Sequence, residues 1–479
     1  MLKFSVTELS GLAETELVLT GGASAPGFLA PVVTDTRKVE AQDFYLALKG
    51  ERFDGHRFVM EAAKRGASLA IVEKSQIEAV RQEIGSTALA LLAVPDTLQF
   101  YQAIALHARR RHKPFVIGIT GSSGKTTTKE MVGCVFSASG KGVHKSLANQ
   151  NNEIGVPLTI LSMPEETSYL ILEMGMRGLG QIDELARVGE PDLGIITGVG
   201  TTHIELLGSK ENIARAKCEL YANLEKRGGI AICGELSDLV RNACTEVFSG
   251  RVYDFDSDKV EITAVTSSGT EFSLKINDHS ERFFVKAHGS YLVRDAWCAV
   301  KAGILAGLSV AQIKEGLACW STVEGRGNII EAANGLTIVD ESYNANPDSV
   351  RCAVDAILTS SNFQNKRKFV VLAKMAELGD YTDPLHLELG QWLRDKAVDF
   401  LFTVGAEASL IAKGANGSSF KIFACADKAE AFDRLRSLLA PGDCVMIKGS
   451  HSTNLDELVL KLNETGSFSA EKTVVGDGS

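Results

Sequence analysis

From residue 115 onward the chain repeatedly sets four or five apolar residues side by side with no polar alternation. Runs at 115–119, 169–172, 193–196 and 230–233 share this pattern, and longer stretches of helical periodicity separate them. A strand with one wet face alternates polar and apolar residues, so runs of this kind predict strands covered on both faces. Strands alternating with helices in this way predict a mostly parallel sheet sandwiched between helices. A second set of runs, at 337–339, 368–372, 400–404, 421–424 and 444–447, predicts a second α/β sheet.

The first 110 residues follow a different pattern. Short strands are predicted at 44–48 and 67–72, with a helix at 58–65 between them and Gly- and Asp-rich turns around them. The basic stretch Arg109-Arg110-Arg111-His112-Lys113-Pro114 ends a predicted helix and marks a boundary. On its own such a run reads as a solvated helix end. At roughly 150 residues per domain, 479 residues predict three domains, bounded at 1–112, 113–321 and 322–479. The expected fold class is therefore α/β throughout: an N-terminal α/β domain, a central phosphate-loop domain on a mostly parallel sheet, and a C-terminal Rossmann-like domain.

Composition narrows the partners. A formal charge of −10 argues against general affinity for nucleic acid or anionic membrane, both of which need a cationic face. No run approaches the roughly 18 uninterrupted apolar residues of a membrane span. The first residues lack the basic-then-apolar pattern of a secretory leader. A cytoplasmic monomer with no membrane insertion is expected. The nine scattered cysteines include no Cys-x-x-Cys pair and read as reduced, packing residues. The polar tail from 467 to 479 is expected to fray.

The chemistry begins where the first central run ends, at Gly118-Ile119-Thr120-Gly121-Ser122-Ser123-Gly124-Lys125-Thr126-Thr127-Thr128. An apolar strand enters this loop and Lys129-Glu130-Met131-Val132 opens a helix behind it. Glycines let backbone N–H groups curl around an anion, and the helix N-terminus adds positive potential. Lys125 would reach the β- and γ-phosphates of ATP, and the Thr126 hydroxyl would ligate Mg²⁺. The usual pattern needs glycine six residues before the lysine, where this chain has Ile119, so the loop is the shorter T-G-x-x-G-K-T-T form.

In a parallel sheet, residues just past the strand C-termini gather along the ligand-binding edge. Glu173 follows the run 169–172, and His203 lies six residues after Thr197. A hard carboxylate suits Mg²⁺, and an imidazole is an uncommon but workable ligand. A loop histidine taken alone reads as structural or solvated; beside Glu173 and the phosphate loop it becomes a candidate ligand. Lys217, on a predicted helix, reads by default as a surface lysine with its head in water.

Taken in order, these motifs resemble the Mur ligases, and the short phosphate loop is shared with folylpolyglutamate synthases. Thr34-Asp35-Thr36-Arg37 and Leu48-Lys49-Gly50-Glu51-Arg52-Phe53-Asp54-Gly55-His56 resemble the family's UDP-binding domain. Leu147-Ala148-Asn149-Gln150-Asn151-Asn152-Glu153-Ile154-Gly155-Val156-Pro157 is similar to the branch that adds D-alanyl-D-alanine to a UDP-N-acetylmuramoyl-tripeptide. So are Asp340-Glu341-Ser342-Tyr343-Asn344-Ala345-Asn346-Pro347-Asp348-Ser349 and the closing Ile447-Lys448-Gly449-Ser450. The Asp-Asn-Pro-Arg motif expected of the diamino-acid-adding branch is absent from the sequence.

The resemblance implies roles residue by residue. Gly121, Ser122, Ser123, Gly124, Lys125, Thr126 and Thr127 would hold ATP, with Asp295, Arg326, Asp340 and Asn344 contacting it from elsewhere. Thr126, Glu173, His203 and an N-carboxylated Lys217 would hold two Mg²⁺ ions, and Lys125, Glu173, His203 and Lys217 would be the catalytic set. Thr36 and Arg37 would bind the UDP end of one substrate. Asn149, Asn151, Asn152, Asn346, Ser349 and Lys448 would face the substrates. ATP would phosphorylate the tripeptide carboxylate, and the dipeptide amine would displace phosphate from the acyl phosphate.

Three positions depart from the family's pattern. Asp295 stands where asparagine is expected, Ala373-Lys374 replaces Gly-Asp in Leu372-Ala373-Lys374-Met375-Ala376-Glu377-Leu378-Gly379, and His451 follows Lys-Gly-Ser where arginine is common. The competing readings are a diaminopimelate- or lysine-adding ligase and, from another class, an ATPase that drives a conformational change.

Overall fold

The computed structural model describes residues 1–50, 53–266, 268–277, 279–286 and 289–466. Glu51 and Arg52 of the N-terminal motif, and the tail 467–479, lie outside the described residues. Three six-stranded sheets follow one another along the chain. The α/β class is as expected. Every strand of a given six-stranded sheet falls within one of the three predicted spans.

The first sheet places Lys3–Phe4, Ala30–Val33, Phe44–Leu46, Leu69–Glu73, Leu89–Val94 and Glu16–Thr20 side by side. Its four inner strands are parallel and its two edges antiparallel. The long helix Thr97–His112 then leads into the second domain. The arginine run at its end is not merely solvated. Arg109 is buried and donates to the carbonyls of Gly189 and Glu190 and to Asp192 Oδ2 (3.0 Å), while Arg110 pairs with Glu190 and Arg111 with Glu8. Asp192 Oδ2 also accepts from Val116 N (2.8 Å), so the helix end is bolted to the first central strand.

The central sheet is parallel throughout, in the spatial order Val252–Asp254, Ile230–Cys233, Leu193–Ile196, Phe115–Thr120, Thr167–Glu173, Gly142–Lys145. Its inner strands are buried on both faces, which is why they carry no polar alternation. Phe115–Thr120 is central. The chain goes first to the edge strand Gly142–Lys145, fills in Thr167–Glu173 beside Phe115–Thr120, then crosses to Leu193–Ile196 on the other side. Such a switch point opens a crevice at the strand C-termini.

One element of the central domain was not foreseen. A three-stranded antiparallel sheet, Glu261–Thr266, Gly269–Ile276 and His279–Val285, buries Phe272, Leu274, Phe283 and Val285 in one core with Leu292 and Trp297. The third sheet orders Asn328–Glu331, Thr337–Glu341, Cys444–Lys448, Lys368–Ala373, Phe400–Val404 and Lys421–Cys425, parallel except at the first edge. All nine cysteines are free thiols, six of them buried. Among the described residues no helix is long and apolar enough to cross a membrane.

Candidate active site

Register alone brings the first functional groups together. Glu173 pairs with Ile119, and Thr120 with Ile196, so the phosphate loop emerges between the ends of its two neighbouring strands. Gly124 has φ +79°, and a Cβ there would lie 2.6 Å from Asp295 Oδ1; at Gly121 a Cβ would drive into the Thr197 hydroxyl. Both positions therefore require glycine. Ser122 N donates to Gly198 O (2.9 Å) and Ser122 Oγ accepts from Gly200 N (2.8 Å), which ties the loop to the segment after Leu193–Ile196. The helix Lys125–Ser137 starts at the loop and aims its positive end into it.

The loop forms one wall of a cavity of about 1000 Å³ between the central and third domains. Seventeen of the predicted site residues line it. The central domain contributes Ser122, Ser123, Gly124, Lys125, Thr126, Thr127, Asn149, Asn151, Asn152, Glu173, His203 and Asp295; the third domain contributes Arg326, Asn344, Asn346, Ser349 and Lys448. Glu173, nearly fully buried, accepts from Thr126 Oγ1 at 3.0 Å and from Asn151 Nδ2 at 2.9 Å, using one oxygen for each. Lys125 Nζ donates to Gly121 O (2.8 Å) across its own loop. Burial lowers the Lys125 pKa, and the Glu173 carboxylate partly opposes this.

Five predicted residues lie outside the cavity wall. Gly121 is buried at the start of the loop. Asp340 accepts from Gly325 N (3.1 Å) and Ser342 N (3.0 Å), which supports the Gly325-Arg326-Gly327 turn. Thr36 and Arg37 sit on a short helical turn of the first domain, where Arg37 is largely exposed and paired with Asp35. Lys217 is 2% exposed, which overturns the default reading of a surface lysine. Its amine is pushed well below the ordinary lysine range, first by burial and then by the charge of Lys125.

The third domain brings in a second set. Arg326 lies with its guanidinium 4.0 Å from the centroid of the Tyr343 ring, and His451 meets that ring edge-on at 5.5 Å. The register of Thr337–Glu341 against Cys444–Lys448 sets Glu341 opposite Lys448. Lys448 Nζ donates to Glu341 Oε2 (2.8 Å) and Asn344 O (2.9 Å), and Tyr291 OH donates to Glu341 Oε1 (2.8 Å). Lys448 is thus a charge-paired group of the wall, not a free cation.

Across the cleft, His203 Nδ1 lies 2.7 Å from Glu377 Oε2 of the third domain. This contact sets the Glu377 carboxyl below its usual range, against burial, which acts to raise it. Both residues hold left-handed backbones, at φ +63° and +61°, a conformation non-glycine residues adopt rarely and mainly at functional sites. Asp295 packs on the phosphate loop, and burial pushes its carboxyl up to about 7. Glu377, Tyr291, Glu341 and Lys129 were not singled out from sequence. For Lys129 a signal existed, since it lies four residues beyond Lys125 on the same helix face.

Comparison with known proteins agrees with this geometry. The chain matches the Mur ligase middle domain over residues 119–303, the Mur ligase glutamate ligase domain over 325–451, and the Mur ligase family catalytic domain over 30–109. It is 34% identical over 440 residues to the UDP-N-acetylmuramoyl-tripeptide--D-alanyl-D-alanine ligase of Bacillus subtilis, covering 91% of this chain and 93% of that one. The chain belongs to the Mur ligase family. The Escherichia coli ligase of the same name is 30% identical over 475 residues, covering 97% of this Mur ligase and 100% of the relative. Among solved structures, a crystal structure of MurF from Acinetobacter baumannii superposes with a TM-score of 0.86 at 29% identity, covering 97% of this chain and all of that one. MurF ligase from Thermotoga maritima in complex with ADP gives 0.79 at 26%, covering 91% and 97%.

Proposed function

We propose that this Mur ligase uses ATP to join D-alanyl-D-alanine to UDP-N-acetylmuramoyl-tripeptide, the two substrates in its relatives' names. The observation that carries the reading is the two-sided cavity: phosphate-loop groups on one wall and the Arg326–Tyr343 pair on the other. In this reading an oxygen of the tripeptide carboxylate attacks the γ-phosphorus, ADP leaves, and an acyl phosphate forms. The dipeptide nitrogen then attacks the acyl carbon, loses a proton, and inorganic phosphate departs with the C–O electron pair. Lys125 and the loop N–H groups stabilise the transferring phosphoryl charge, and domain closure keeps water from the acyl phosphate.

The donors present suit a hard dication: the Thr126 hydroxyl and Glu173 carboxylate are oxygen ligands 3.0 Å apart in one cavity wall. Thr126 and Glu173 would hold one Mg²⁺, and Glu173, His203 and a carboxylated Lys217 a second. Bound magnesium would supply neutralisation of phosphate charge. His203 fits this role because it lines the same cavity, with Nδ1 2.7 Å from the Glu377 carboxylate. Lys217 fits it as well, since only a neutral amine takes up carbon dioxide and burial favours that form. Thr36 and Arg37 would receive the UDP end on the first domain.

The test is phosphate release across a panel of UDP-muramoyl peptides and D-amino dipeptides. Release should require both the tripeptide nucleotide and D-alanyl-D-alanine. Rapid release with ATP alone would favour a conformational ATPase, and use of a free diamino acid would favour the sister ligases.

A further inference from the structure

Lys129 is the most deeply buried cation near the phosphate loop, at 1% exposure, and the mechanism above gives it no task. Its Nζ lies 3.1 Å from Glu130 Oε1 and 3.7 Å from Glu173 Oε2. Glu130 is also paired, through its other oxygen, with Lys145. A continuous chain of charges therefore runs from Lys145 through Glu130 and Lys129 to Glu173, and from there to Thr126 and Asn151. An ammonium is costly to bury, and this one sits where a carboxylate meant for a dication already has its charge balanced. A metal approaching Glu173 would meet Lys129 behind it and Lys125 on the same loop, and both repel it. Nucleotide phosphates reverse that balance, because they bring several negative charges to the same place.

We propose that Lys129 is a positioning residue that keeps the Glu173 carboxylate aligned with Thr126. By balancing its charge, Lys129 also bars a divalent cation from the site until nucleotide phosphates arrive with it. The inference rests on the reading that this cavity binds a metal–nucleotide complex. It makes metal entry conditional on nucleotide, so the acyl-forming site is assembled only when ATP is present.

The experiment is Mn²⁺ titration of the full chain followed by electron paramagnetic resonance, with and without a non-hydrolysable ATP analogue. Without nucleotide, wild type should bind Mn²⁺ at least tenfold more weakly than Lys129→Met, and Lys129→Arg should match wild type. With the analogue, wild type and Lys129→Met should both bind the ion, and the tenfold gap should close. A folded Lys129→Met with wild-type Mn²⁺ affinity in the absence of nucleotide would overturn the proposal. If Lys129→Met does not fold, Lys129→Met/Glu130→Gln removes both members of the ion pair, and the same comparison applies to it. Failure of wild type to bind Mn²⁺ even with the analogue would instead overturn the proposed function, and this inference with it.

Discussion

Asp348 is where the closed arrangement of central and third domains can be tested most directly. One of its oxygens, Oδ2, accepts from Thr201 N at 3.0 Å and from Thr201 Oγ1 at 3.2 Å, across the domain boundary. Nearby, Asn346 Nδ2 donates to Thr202 Oγ1 (2.9 Å) and Tyr381 OH to Gly208 O (3.0 Å). Hydrogen bonds to a charged acceptor contribute roughly 1.5–3 kcal/mol each. Asp348 is half-buried and water competes for it, so the lower figure applies. Two such bonds give about 3 kcal/mol to the closed form, which is on the order of a hundredfold in the closure equilibrium. Asp348→Ala should therefore lower kcat/KM for ligation by about that factor while binding of the UDP-substrate is kept. Asp348→Asn, which retains an acceptor oxygen, should lose less. A steric counterpart is available in Gly200→Ala, because a Cβ there would run into Asp348 Oδ2 only when the domains meet. Steady-state phosphate release, with small-angle scattering to follow compaction on adding nucleotide, reads both effects. Ligation within threefold of wild type in both Asp348→Ala and Gly200→Ala would refute the latch.

The other expected outcomes are briefer. Lys125→Ala should abolish ligation but spare UDP-substrate binding; a variant keeping more than about a tenth of wild-type turnover, under roughly 1.4 kcal/mol in barrier, would remove its assigned role. D-Alanyl-D-alanine should be used far better than free diaminopimelate or lysine, as measured by product formation with each amine. Lys217→Ala should lose most activity and regain part of it with short carboxylic acids, whereas rescue by amines would mark Lys217 as a cationic group. Asp295 binds its proton more tightly folded than unfolded, so its contribution to stability falls as pH rises from about 4 to about 7 and then levels off. Asp295→Asn should therefore gain in Tm over wild type across that window, and parallel Tm–pH curves for the two proteins would contradict the assignment.

Much of this site was legible because its signals are local. The strand–loop–helix at 115–137 is written in consecutive residues, and the apolar runs flanking it fix a parallel sheet whose register delivers Glu173 to the loop. What composition and spacing could not supply was the direction of long charged side chains. The same residue types, Arg109 and Lys217, read from sequence as solvated, and both are buried. Arg109 is held by carbonyls eighty residues away; Lys217 lies on the buried face of its own helix with Ile213, Leu220 and Tyr221. The antiparallel sheet at 261–285 escaped for a different reason. Its strands Glu261–Thr266 and His279–Val285 keep largely exposed faces, so their apolar alternation is weak.

Asp340 and Glu377 separate a motif from the work its residues do. Asp340 stands in the stretch that most resembles the family's nucleotide-contacting segment, yet one of its oxygens accepts from Gly325 N, in the turn that bears Arg326, and the other from Ser342 N. Its effect on nucleotide would pass through Arg326, so Asp340→Asn should alter the presentation of the guanidinium more than any direct contact. Glu377 lies in a stretch noted only for its departures, yet it is the carboxylate that reaches His203 from the other domain. Two strained backbones held face to face persist only when the surrounding structure over-determines them. Here that surrounding structure includes the domain interface itself, so the setting of His203 depends on the contacts between the central and third domains. The candidate metal site and the Asp348 contacts share that interface, in which the third domain sets Glu377 beside His203.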